Sequence, residues 1–94
     1  MNTLLDYYKF FESIPEEKWC NYNVLNTQGQ RCARGHLGTR LVAGQIIESP
    51  EAIKFYELTN SNHVDISHVN DNIHYGFNQP TPKARILAFI KSKL

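Results

Sequence analysis

The chain is expected to be mainly α-helical: one compact domain over residues 1–94, with about four helices and a small β-ribbon or irregular insert around residues 20–32. Three observations predict this. Apolar residues recur every three or four positions along several stretches, the period of an amphipathic helix. Two of those stretches open with a hydroxyl residue followed by proline, Ser49-Pro50 and Thr81-Pro82, the order of a helix N-cap and its first helical position. Between the periodic stretches lie clusters of Asn, Gly, Ser and Thr, which punctuate structure. At 94 residues the core is small, but one Trp, five Tyr and five Phe supply large apolar surfaces to fill it.

Thr3 caps the first predicted helix, 3–14, with Asp6 at the capping-box position. Leu4, Tyr7, Tyr8, Phe11 and Ile14 then form a stripe, which reads as core and not as a stacking platform for bases, and Pro15 stops the helix. In the insert, Trp19, Tyr22, Val24 and Leu25 precede "NTQGQ", which places a turn near Gln28 and Gly29. Leu37, Leu41 and Gly44, with Val42 and Ile46 beside them, suggest a second helix over 34–47. Gly35, Gly38 and Gly44 each cost about 1 kcal/mol against alanine inside a helix, so they mark a helix start or a close backbone. The third helix, 50–60, carries Ile53 and Tyr56 inward. A polar stretch follows, with Val64, Ile66 and Val69 as anchors and one short turn capped by Asp65. Pro82 opens the last helix, 82–93, with Ile86 and Ile90 on its apolar side. The expected core is Leu4, Tyr8, Phe11, Trp19, Leu37, Leu41, Ile53, Tyr56, Ile86 and Ile90.

The net charge of +1 conceals segregation. Residues 19–47 contain Arg31, Arg34 and Arg40 and no acid, and residues 83–94 contain four bases and no acid, whereas 48–82 is acidic. Two basic blocks could grip phosphates, but so balanced a chain falls short of the strongly basic character of nucleic-acid-binding domains, and direct nucleic-acid contact is the lesser expectation. No apolar run approaches the roughly 20 residues of a membrane span. The stretch "MNTLLDYYKFFES" lacks a basic flank, so the expected location is the cytoplasm, without membrane attachment.

Chemistry could reside in "CARGHLG". Cys32 and His36 share a helical face and could form a zinc site with Cys20 and one of His63, His68 or His74, or a thiol–imidazole nucleophile oriented by Asn70 or Asp71. Cysteines twelve apart do not fit the tight pairs of structural zinc sites, and nothing local lowers the thiol pKa. The stretch therefore reads as a tight helix start with Cys32 inward, His36 facing the "VNDN" loop and Arg34 facing solvent. Asn70 and Asp71 are expected to pin that loop to a helix start. No catalytic residue, metal or cofactor is assigned.

The order W-C … G-Q-R-C-A-R-G-H-L-G … V-N-D-N … Q-P-T-P-K-A-R-I-L-A-F-I, over residues 14–92, resembles small hypothetical proteins of bacteriophages and bacterial genomes. The resemblance implies a compact helical domain in a phage or mobile-element setting and transfers no catalytic role to Cys32, His36, Asn70 or Asp71. The expected function is binding to a bacterial protein or ribonucleoprotein, as an inhibitor of a host defence such as CRISPR, with Arg31, Arg34, Tyr75 and Phe77 as contact residues. The alternative is a small enzyme or metal-binding protein built on Cys32 and His36.

Overall fold

The structure is a computed structural model that describes residues 1–73 and 76–94. Its elements are α1 (Leu4–Glu12), a 3-10 turn (Glu16–Lys18), α2 (Ala33–His36), β1 (Arg40–Val42), β2 (Gln45–Ile47), α3 (Pro50–Thr59), α4 (His63–Asp71) and α5 (Pro82–Lys93). Helix α5 packs against α1 and α4, α1 leans on α3, and α2 rests on α4. The fold is mainly α, with one two-stranded antiparallel sheet.

The caps act as their residues dictate. Thr3 accepts from the Asp6 N–H, and the Asp6 carboxylate accepts in return from the Thr3 N–H, closing the box. The main-chain donors of Asn2 and Thr3 hold the Asp6 carboxyl below its usual range. Ser49 caps α3 through the Ala52 N–H, and Thr81 caps α5 through the Ala84 N–H, each with proline at the start of the helix. Helix α4 is longer than a single turn. It is capped by Asn62, with Asp65 at the third position of the box rather than at the cap itself.

The core is a run of rings and branched chains. Tyr7 and Phe11 are fully buried one helical turn apart, and Phe11 meets Phe55 at 5.6 Å and Trp19 at 5.5 Å between ring centroids. Ile66, Val69, Ile86, Phe89 and Ile90 complete the other side. Phe11, Trp19, Leu37, Tyr56, Ile86 and Ile90 take their expected core places, while Leu4 and Tyr8 are half-buried at its edge. Two expectations are corrected: Leu41 is 59% exposed and Ile53 is 47% exposed.

The Leu41 error follows from a larger one. The helix expected over 34–47 ends at His36, after one turn. The chain then passes through Gly38 at φ 102°, a left-handed conformation that glycine adopts without Cβ strain, and leaves as a hairpin. Arg40 pairs with Ile47, Leu41 with Ile46 and Val42 with Gln45. The two linking residues, Ala43 and Gly44, both have positive φ (51° and 80°), as the mirror-image turn favoured by right-twisted strands requires. The β-ribbon therefore lies at 40–47 and not at 20–32. The earlier segment is an irregular loop tied off by a single parallel bridge between Trp19 and Arg31, in which Arg31 N–H donates to Lys18 O and Cys20 N–H to Arg31 O.

Candidate functional site

The short helix α2 is held from two sides. A Cβ on Gly35 would come within 2.0 Å of the Val24 carbonyl oxygen, so the glycine admits the loop backbone. From the other side, buried Asn70 accepts from Ala33 N–H through Oδ1 (3.0 Å) and donates from Nδ2 to Cys20 O (3.0 Å) and to Asp71 Oδ1 (2.8 Å). Asp71 Oδ1 also accepts from Tyr22 N–H at 2.9 Å. Asn70 and Asp71 thus hold a helix start, but they do so from the last turn of α4 and not from a loop of their own, and the loop they fasten is the one around Cys20 and Tyr22. Arg85 locks the arrangement from α5. It is almost wholly buried and donates to Asn70 O, Gln79 O and Asn21 Oδ1.

Cys32 and His36 do not form a thiol–imidazole pair. Cys32 is buried, and burial pushes its thiol above the ordinary value despite the nearby N–H groups of Gly35 and Arg34. The His36 ring lies 4.6 Å from Trp19, ring centre to ring centre, so it faces the tryptophan and not the "VNDN" loop. Burial, and next the Arg31 charge, push its pKa down to about 4. The main chain of Lys18 and Arg31 is near enough to favour a proton on the ring, yet buried Nε2 has no hydrogen-bond partner. Among the described residues no group of three or more His, Cys, Asp or Glu side chains could hold a metal ion. His74 lies outside those residues.

Arg34 does not face solvent. Its guanidinium donates to Tyr56 Oη (3.1 Å), Ser67 Oγ (3.1 Å) and Glu48 Oε2 (3.1 Å). Glu48 Oε1 also accepts from Tyr56 Oη and Thr39 Oγ1. This network joins α2, the hairpin exit, α3 and α4. Burial works against the Arg34 charge, but Tyr56 and Glu48 outweigh it and hold the pKa above its usual value. Phe77 is half-buried, edge-on to Phe89 at 5.7 Å, and Tyr75 lies outside the described residues.

Arg31 is exposed, and it borders a cleft of about 580 Å³ between the 24–31 loop and β1. Val24, Leu25 and Leu41 form apolar walls, Gly35 and His36 line it from α2, and Arg40 stands at the side opposite the loop. Beyond the cleft the hairpin leaves Val42, Ile46 and Ile47 each more than 40% exposed. The sequence alone did not mark Arg40, Leu41 and Leu25 as surface residues, nor half-buried Val24 as a wall of the cleft. The signal was the β-branched run Thr39, Val42, Ile46, Ile47 around "AG". Set against known proteins, the chain matches no family model, no curated protein and no solved structure.

Proposed function

We propose that the chain is a binding protein that docks on a partner protein through the hairpin and the loop beside it, and that it acts without catalysis of its own. The supporting observation is the exposure of Leu25, Leu41, Val42, Ile46 and Ile47 together in so small a domain. Scattered apolar side chains on a surface need no explanation, but a two-stranded ribbon exposed at all six of its residues does, because such a hairpin gains little stability alone. The resemblance of its motif order to small hypothetical proteins of bacteriophages and bacterial genomes suggests the setting: an accessory protein acting on a bacterial protein or ribonucleoprotein, as an inhibitor of a host defence. The alternative, chemistry at Cys32 and His36, is disfavoured by the buried thiol and by the turn of His36 towards Trp19.

The test is affinity capture from bacterial lysate with the wild-type chain and with a Leu41→Ser/Ile46→Ser variant whose helical circular dichroism is unchanged. A partner held by the first and lost by the second is expected. Identical recoveries would overturn the reading, as would rapid alkylation of Cys32 at neutral pH.

A further inference from the structure

We infer that the cleft between the 24–31 loop and β1 takes an acidic peptide segment carrying one apolar anchor, laid along the free edge of β1. The inference rests on the docking reading above and names the partner's chemistry.

Charge comes first. Of the three arginines in the acid-free stretch 19–47, Arg34 is neutralised internally by Glu48. Arg31 and Arg40 are exposed, and among the described residues neither forms an ion pair. Both line the same cleft, Arg31 at the end of the loop and Arg40 on β1, and that lining contains no carboxylate. Two guanidiniums without counter-ions, across a gap with aliphatic walls, complement carboxylates on either side of an apolar side chain.

The backbone supplies a second element. The two-residue turn makes Val42–Gln45 the hydrogen-bonded pair, so Leu41–Ile46 is the next, non-hydrogen-bonded pair. The Leu41 N–H and C=O therefore point away from β2, and among the described residues no other backbone group pairs with them. Because β1 and not β2 lines the cleft, this free donor and acceptor lie on its border. An extended peptide added there gains main-chain bonds while its alternate side chains reach the cleft. The same features disfavour a nucleic acid: no Phe, Tyr or Trp lines the cleft to stack a base, and two free guanidiniums make a short phosphate track.

The experiment uses the full chain and fluorescein-labelled ten-residue peptides, read by anisotropy at low and high salt. One peptide has a central leucine flanked by glutamates. A second replaces the glutamates with lysines, a third replaces the leucine with serine, and a single-stranded RNA oligonucleotide is the fourth probe. The acidic leucine peptide is expected to bind best and to weaken as salt rises. It should bind about tenfold more weakly to Arg31→Gln/Arg40→Gln, about threefold per exposed ion pair. Its addition should shift the Leu41 amide resonance. Equal binding of acidic and basic peptides, no effect of the double variant, or preference for the oligonucleotide overturns the inference. If no peptide binds while capture still requires Leu41 and Ile46, the cleft assignment fails and the docking reading stands. If peptides bind as expected while capture ignores those residues, the docking reading fails instead.

Discussion

Arg34 and Arg40 belong to one short acid-free stretch, yet one is built into the domain and the other stands on its surface. Arg34 has three side-chain acceptors around it, drawn from Glu48, α3 and α4. Arg40 leaves the fold on a strand whose every residue is exposed. The regions they represent differ in the same way. Around Arg34 and Asn70 the polar groups are buried or half-buried and answered, which makes them costly to disturb. In the cleft Arg31, Arg40, Leu25 and Leu41 are exposed, and their substitution is expected to cost the fold little. Polar character alone does not mark a binding residue; what matters is whether the domain itself already answers it.

That contrast can be broken by substitution, beginning with the interior. Gly35→Ala drives a methyl group into the Val24 carbonyl and should cost about 3 kcal/mol, read as a fall in the urea midpoint. Asn70→Ala strands the Ala33 N–H and the Cys20 carbonyl and should cost about 2 kcal/mol by the same measurement. Arg34→Met leaves Glu48 with only hydroxyl partners and should cost about 1–2 kcal/mol, while Arg40→Gln should stay within about 0.5 kcal/mol. An Arg40 effect as large as the Arg34 effect would erase the distinction.

Acid provides a subtler probe. His36 titrates near 4 in the fold and near its ordinary 6.5 when unfolded. Between those values the unfolded chain holds the extra proton, so His36 contributes stability that is complete above about pH 6.5 and declines as pH falls towards 4. Urea midpoints across that window should show the decline, and His36→Phe, which keeps a ring against Trp19, should flatten it.

Much of the architecture was legible because it rests on local chemistry. Thr3, Ser49 and Thr81 each bond the N–H three residues on, and Pro50 and Pro82 stand where their missing N–H is harmless. The hairpin was not legible. Leu37, Leu41 and Gly44 mimic a helical period, and only the left-handed backbone at Gly38, Ala43 and Gly44 overrules it. That Asn70 and Asp71 bond main chain at a helix start could be read from their chemistry, but not that they do so from the end of α4 onto the loop around Cys20 and Tyr22, and the placement of Arg34 depended on Glu48, Tyr56 and Ser67 converging from three later segments. The cleft was hidden for the same reason: its two walls come from a loop and a strand whose meeting is a tertiary event.

The bridge between Trp19 and Arg31 has a consequence for synthesis. The loop it closes is pinned by Asn70 and Asp71, which enter the chain long after residue 31. A ribosome adds about 5–20 residues per second, so α1 can form while this loop still lacks its anchors. The loop wall of the proposed surface therefore gains its anchors only once α4 has emerged, while the hairpin wall, paired with itself, does not wait for them.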